Sequence, residues 1–386
     1  MPEPFKNLIN AGTIAAAGHH LSRVWPAFDR ARFEHLAGQN LDGLEMKERA
    51  MQIATALQTV LPADFDQAAG VIEAALAPPV SPDQPAGERR TDAGLAGWIV
   101  WSLGEYVARQ VAQEPTRLQR GLAALHALTQ RFSAEYAIRP LIRDHPTEVF
   151  DTLAHWSSDA SPHVRRLVSE GSRPRLPWGL RLQRLIDDPS PCLALLARLQ
   201  DDDSAYVRRS VANHLNDIAK DHPALVADWV HRHLPGASAA RTALLRHASR
   251  TLIKQGHTDT LAAWGLGQAF RGTAGLVVSP SRIAEGDAAT LTLSLASRAR
   301  RDQTLVVDYA VHHVKANGDT SAKVFKGWSF VLPAGASREL VKRHSLRPIT
   351  TRRYYGGWHR VQVQINGKPV AEGGFELVAG PQADRE

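Results

Sequence analysis

Two glutamates set among arginines are the residues of this chain of 386 amino acids best suited to chemistry. Arg131-Phe-Ser-Ala-Glu135, Arg166-Leu-Val-Ser-Glu170 and Arg209-Ser-Val-Ala-Asn213 share one pattern, an arginine four positions before an acidic or amide side chain. Such positions are neighbours on a helix. If the segments are equivalent parts of a repeat, Glu135, Glu170 and Asn213 form one row, and Arg131, Arg166 and Arg209 a second, one turn away. Exposed pairs of this kind contribute only ~0.3–0.5 kcal/mol each, so the pattern alone fits a solvated face as well as a site. Between positions 160 and 186, however, stand six arginines, at 165, 166, 173, 175, 181 and 184, and a single carboxylate, Glu170. A lone glutamate in such surroundings stays ionised and is well placed to stabilise a cation.

The same segment carries Pro177-Trp178-Gly179. Flanking by Pro174, Arg175, Pro177 and Arg181 disfavours a core position for Trp178 and leaves its ring free to lie against a sugar or a cationic base. Trp98, Trp101, Trp156, Trp229 and Trp264 lie in apolar helical patterns and are expected in the core.

Other chemistry lacks its residues. Cys192, the one cysteine, reads as a small buried hydrophobe, and the 17 histidines show no H-E-x-x-H arrangement, so neither a metal nor another cofactor is expected. The glycine pairs at 356–357 and 373–374 read as strand turns rather than a phosphate loop. The acidic run Asp201-Asp202-Asp203 reads as an inter-helix turn, not the carboxylate cluster of a metal-dependent nuclease. A carboxylate on a basic surface can still break an N-glycosidic bond. The transition state resembles an oxocarbenium ion, which a fixed carboxylate stabilises while orienting the attacking water. A base already made cationic by alkylation needs no general acid to leave. The rival reading is a non-catalytic scaffold that binds DNA or protein.

The elements that would position these residues are helices. From Phe5 to about Phe270 apolar residues recur at helical spacing, as in Leu122-x-x-Leu125-x-x-Leu128, and residues 77–90 read as an exposed proline-rich loop. Asp144-His-Pro146 recurs as Asp187-Asp-Pro189, and Ser161-Pro-His-Val-Arg-Arg166 as Ser204-Ala-Tyr-Val-Arg-Arg209, both 43 positions later. The unit is a helix pair, and about eight extra residues follow Glu170 in the second unit. Pairs of this length with an aspartate turn look like HEAT-type repeats, whose second helices line the concave face of a solenoid. After Gly272 the pattern alternates, as in Ala289–Leu295, Thr304–Val311 and Trp358–Ile365, with turn signals at 316–319 and at Asn366-Gly367. The expected fold is multidomain: an all-α HEAT-like repeat solenoid over residues 1–274 and an all-β immunoglobulin-like sandwich over 275–386.

A formal net charge of +7 favours a polyanionic partner, and six of those charges fall in 275–386. Residues 337–360 hold seven basic side chains and one acidic, interleaved with Tyr354, Tyr355 and Trp358. Such a patch can grip phosphates or protect a sheet edge. Phosphate contacts are expected from Arg131, Arg165, Arg173, Arg175, Arg208 and Arg209 in the helical part and from Lys315, Arg352 and Arg353 beyond it. MPEPFKNLIN lacks the order of a secretory signal and no apolar run approaches a membrane span, so the expectation is a cytoplasmic monomer without a membrane, associated with the nucleoid when on DNA.

The chain resembles the AlkC branch of the AlkC/AlkD DNA alkylpurine glycosylases. The resemblance rests on Glu3-Pro-Phe-Lys-Asn-Leu-Ile-Asn10, on Phe28-Asp29 and Phe33, and above all on Val164-Arg-Arg-Leu-Val-Ser-Glu-Gly-Ser-Arg-Pro-Arg-Leu-Pro-Trp178. It implies a HEAT-like solenoid, in one subgroup with an appended immunoglobulin-like domain. It also implies Glu135 and Glu170 as catalytic carboxylates, Arg166 as their positioning partner and Trp178 as the aromatic against the lesion. Its implied activity is monofunctional excision of cationic 3-methyl lesions of adenine and cytosine from double-stranded DNA, without flipping the base. Asp217, one turn beyond Asn213, is a further candidate carboxylate on the inner face.

Overall fold

The computed structural model describes residues 4–79, 93–349 and 352–378. Most of the expected loop over 77–90 lies outside the described residues, as do Glu3 of the opening motif and the chain after residue 378. Helices run from the 3-10 turn Phe5–Leu8 to Thr258–Ala263 and strands from Gly272 onward, so an all-helical region is followed by an immunoglobulin-like β domain. No described helix is long and apolar enough to cross a membrane.

The repeat chemistry predicted from the sequence builds the helix pairs. Pro146 opens the helix Pro146–Trp156 and Pro162 opens Pro162–Gly171, positions where a missing N–H costs nothing. Asp159 accepts a hydrogen bond from the Ser161 amide at 2.7 Å, and Asp202 accepts one from the Ser204 amide at 2.8 Å, so the same aspartate turn precedes both second helices. Val164, Leu167 and Val168 on one second helix, and Val207, Val211 and Leu215 on the next, Ala205–Ile218, are fully buried. These stripes pack the two helices together, each side chain contributing about 1.5–3 kcal/mol.

The two arginines of each Val-Arg-Arg run do different work. Arg165 folds back onto the carbonyls of Asp159 and Ala160, and Arg208 onto those of Asp202 and Asp203. Arg165 also takes the Asp202 carboxylate with two donors, at 2.6 and 2.9 Å, which ties one repeat to the next. The second arginines part ways: Arg166 is mostly buried against Glu135, whereas Arg209 is exposed.

The upstream copy is not a helix, against the sequence expectation. Leu118–Thr129 ends before Arg131 and the next helix, Ile138–Asp144, begins after Glu135. Arg131 caps the preceding helix through the Ala127 carbonyl at 3.0 Å and reaches the Ala77 carbonyl at 2.7 Å, while Ser133 bonds locally to Glu135. Such bonds offer the backbone an alternative to the helix ladder.

Pro162–Gly171 ends where expected for the insertion. A Cβ at Gly171 would lie 2.5 Å from the Ile138 side chain, so only glycine allows this approach. Residues 172–182 then form a loop before the short helix Gln183–Asp187.

The chain divides into two compact units, Met1–Asp221 with Ser238–Ala248, and His222–Ala237 with Ser249–Glu386. Among the described residues the second contains eight strands: β1 (Gly272–Ser279), β2 (Arg282–Ala284), β3 (Ala288–Ser297), β4 (Gln303–Val314), β5 (Thr320–Leu332), β6 (Ser337–Ser345), β7 (Gly357–Ile365) and β8 (Lys368–Val378). They form a three-stranded sheet, β1-β3-β6, and a five-stranded sheet, β2-β8-β7-β4-β5, with only β2 and β8 parallel. Leu291, Leu293, Val307, Val311, Val361, Val363 and Phe375 fill the core of the sandwich. The predicted Asn366-Gly367 turn joins β7 to β8 with φ values of 50° and 73°, as a tight hairpin of right-twisted strands requires. Gly373-Gly374 is not a turn but mid-strand: a Cβ on Gly374 would come within 2.5 Å of the exposed Trp358 ring, which lies over it.

Candidate active site

Within the first unit, carboxylates and guanidinium groups alternate in one chain of contacts. Arg166, on Pro162–Gly171, donates a short hydrogen bond to Glu135 and lies 3.5 Å from Glu170. Glu170 accepts from Arg173 at 2.5 Å, and Arg173 turns its other donors to Asp217 at 2.8 and 2.7 Å. Lys220 closes the series on Asp217 at 2.8 Å. Hydroxyls complete the lone pairs: Ser133 donates to Glu135 at 2.8 Å and Ser210 to Glu170 at 2.6 Å. The Arg166 guanidinium also lies 5.2 Å from the centre of the Tyr206 ring, facing its electron-rich side.

The sequence predicted an acidic row facing a basic one. Glu135, Glu170, Arg166 and Asp217 do meet, but interleaved, and Glu135 arrives from a turn. Asn213 is not in the cluster, since its side chain meets His247 at 2.9 Å. The place next to Glu170 belongs to Ser210, three residues earlier on the same helix.

Accessibility ranks the three carboxylates. The Glu135 side chain is 12% exposed, Glu170 8% and Asp217 3%. Burial alone would raise the Glu170 carboxyl, but Arg166, Arg173 and the Ser210 hydroxyl outweigh it and hold the group below its ordinary value. Burial likewise pushes the Tyr136 and Tyr206 phenols up, so both stay neutral near the carboxylates. His214, also buried, is pushed down to about 4 and stays neutral against the Ser169 carbonyl at 2.9 Å.

The loop after Gly171 is organised by Arg139, which the sequence reading missed. This fully buried side chain donates to the carbonyls of Gly171 at 2.8 Å, Arg173 at 2.7 Å, Leu180 at 2.6 Å and Pro174 at 3.4 Å. Its signal was present, a lone arginine inside the apolar run Ala137-Ile-Arg-Pro-Leu-Ile142. Arg139 thereby clamps both ends of the segment that carries Trp178. That tryptophan is 59% exposed, in agreement with the reading that kept it out of the core, and its backbone is left-handed at φ 63°.

Aromatic rings run from the loop towards the cluster. Trp178 is 5.5 Å from Phe5, Phe5 is 4.9 Å from Trp98, Trp98 is 6.4 Å from Trp101, and Trp101 stacks on Tyr136 at 4.4 Å. Trp98 is therefore half-buried at the start of its helix rather than in the core, and Trp264 is half-buried too; Trp101, Trp156 and Trp229 are buried as expected.

Most arginines expected on phosphates are committed elsewhere. Arg131, Arg165 and Arg208 hold backbone carbonyls, Arg173 lies within the cluster, and Arg175 pairs with Asp221 at 2.7 and 2.8 Å. Arg209 is exposed without an ion pair among the described residues, as are Arg181 and Arg184. In the second unit Lys315 and Arg353 are exposed and Arg352 is half-buried.

The chain is similar to known proteins along most of its length. Residues 131–252 match the family described as "DNA alkylation repair enzyme", and residues 272–379 match "Uncharacterised protein YhaZ, C-terminal Ig-like domain". The chain is 34% identical over 369 residues to the uncharacterized protein YhaZ of Bacillus subtilis (strain 168), an alignment spanning 94% of this chain and 96% of that protein. It is also similar to the Pseudomonas fluorescens alkylpurine DNA glycosylase AlkC, solved bound to DNA containing an abasic site analog, with TM-score 0.88 and 36% identity over 98% of this chain and 100% of that one.

Proposed function

The chain belongs to the AlkC-like family of DNA alkylation repair enzymes, and from that premise we propose that it is a monofunctional glycosylase releasing cationic 3-methyl bases from double-stranded DNA. The observation that carries the reading is the pair Glu135 and Glu170, held 3.5 Å or less from one guanidinium, with an exposed Trp178 on the loop that leaves the same helix.

Glu135, the most accessible of the three clustered carboxylates, faces the deoxyribose. As the bond from C1′ to the base breaks, its electron pair neutralises the cationic base and positive charge develops on the sugar. Glu135 stabilises that charge and orients a water, whose oxygen bonds C1′ and whose proton passes to the carboxylate. Glu170 acts from behind, fixing Arg166, and Asp217 does the same for Arg173. Trp178 meets the cationic base through its π-face. The base is not flipped out of the duplex, and no cofactor is used.

Residues 1–274 supply the site and 275–386 a further grip on the duplex. Arg209, Lys315, Arg352 and Arg353 contact phosphates, whereas Arg131, Arg165 and Arg208 hold the repeats and Arg173 and Arg175 hold the site and its loop. The enzyme acts as a monomer, on the chromosome, in the cytoplasm.

The test is incubation of the chain with duplexes bearing 3-methyladenine, 3-methylcytosine or 7-methylguanine, followed by abasic-site detection. Release of the two 3-methyl bases is expected. Release of none would leave the non-catalytic scaffold as the reading.

A further inference from the structure

Trp178 is not alone at the surface. Phe5, from the N-terminal turn, is 47% exposed beside it, with ring centres 5.5 Å apart and planes inclined at 53°. Both rings stand on fixed backbone. Buried Arg49 donates to the carbonyls of Lys6 at 3.1 Å and Ile9 at 2.7 Å, and Lys6 reaches Glu45 at 3.0 Å, which pins the turn Phe5–Leu8. On the other side, Leu182 bonds back to the Pro174 carbonyl at 3.2 Å and Gly179 to Leu176 at 3.1 Å, while Arg139 holds Leu180. Edge-on contact with Trp98, at 4.9 Å and 86°, sets the remaining side of the Phe5 ring.

This arrangement costs stability. A bulky residue at φ 63° is strained relative to an ordinary backbone, and neither ring recovers much by burial. Strain combined with exposure marks a surface that is completed by something else. The 53° inclination excludes a parallel slot for one base between the rings, and favours an edge with two facets. Arg181, exposed and without an ion pair among the described residues, lies three positions from Trp178 and suits an anionic partner with flat apolar faces. The rings also run through Trp98, Trp101 and Tyr136 to the residue after Glu135.

We propose that Phe5 and Trp178 form a rigid two-ring edge that enters the base stack beside the lesion, with Phe5 a positioning residue that fixes the Trp178 ring and contacts the neighbouring nucleotide. The inference rests on the glycosylase reading above and adds a residue from the N-terminal turn to it.

The experiment compares the full chain with Phe5→Ala and Phe5→Tyr on two duplexes. One carries 3-methyladenine and reports single-turnover base release; the other carries a stable abasic analogue next to 2-aminopurine, whose fluorescence reports unstacking without catalysis. Phe5→Ala should lose about tenfold in release, the size of one base–ring stack, and most of the fluorescence change. Phe5→Tyr should restore both, with melting temperature and undamaged-duplex affinity unchanged throughout. Parental release and fluorescence in Phe5→Ala would overturn this proposal alone. Loss that tracks a lowered melting temperature and is not restored by tyrosine would overturn it too. Failure of the parental chain to release any base would overturn the glycosylase reading and this proposal with it.

Discussion

Arg166 reaches Glu135 across 31 positions of sequence, from a helix to a turn, and so makes one guanidinium the common partner of both candidate catalytic glutamates. The pairing is mostly buried, so removing the cation leaves the Glu135 carboxylate without its guanidinium, while Glu170 keeps Arg173 and Ser210. Arg166→Met should cost about 3–5 kcal/mol in urea unfolding, the size seen when one partner of a buried pair is deleted. Arg166→Lys should recover only part, because a single ammonium cannot serve both carboxylates and the Tyr206 face. A methionine variant as stable as the parent would mean that the glutamates are hydrated and independent.

Trp178 offers a contrast between two replacements. Leucine keeps an apolar group and the strained φ of 63°, whereas glycine removes both ring and strain. Both should lose base release through the missing π-face, by about 0.5–2 kcal/mol for a cationic lesion, with undamaged-duplex affinity hardly changed. Thermal unfolding should place Trp178→Gly above Trp178→Leu by about 1 kcal/mol. The reverse order would show that the ring packs rather than strains.

The division of arginines predicts salt behaviour. Replacing Arg352 and Arg353 together should flatten the slope of log affinity against log salt by about 2 if both contact phosphates. Replacing Arg165 and Arg208 should leave that slope unchanged and lower the melting temperature, since their donors are spent on carbonyls and Asp202. A flatter slope from the second pair would return them to the DNA surface.

The repeat, its aspartate turns and the β hairpins were legible because each is local, set by residues within a few positions of one another. Glu170, Trp178 and the meeting of Glu135 with Arg166 were legible too, by spacing and by resemblance. The turn at Arg131–Glu135 was not, because the Ala77 carbonyl that draws Arg131 away lies 54 positions earlier. Arg139 escaped for a similar reason: its value lies in four carbonyls that the loop brings together only on folding. The fates of Arg165 and Arg208 show that a basic composition does not say which cations are free.

The sandwich should weaken in acid. His313, His344 and His359 are buried in its core, and burial pushes His313 down to about 3 and His344 to about 4, with His359 also lowered. Being depressed on folding, these groups take up protons more readily in the unfolded chain below pH 6.5, so stability is complete above that value and falls as pH drops towards 4 and 3. At pH 5 the loss is about 2 kcal/mol for each of His313 and His344. Chemical denaturation of the full chain, followed through the second unit, should show this slope, and His313→Leu should reduce it. A pH-independent transition between 7 and 5 would contradict neutral burial.

The most direct test of the account is single-turnover release of 3-methyladenine by the parental chain and by Glu135→Gln and Glu170→Gln at saturating enzyme. Each variant keeps the shape of its side chain and removes the charge that stabilises the sugar cation or holds Arg166. A loss of at least ~100-fold is expected in each, or ~2.7 kcal/mol of transition-state stabilisation, with duplex affinity retained. Release by both variants at the parental rate would contradict it, and would reduce the glutamates to structural partners of Arg166.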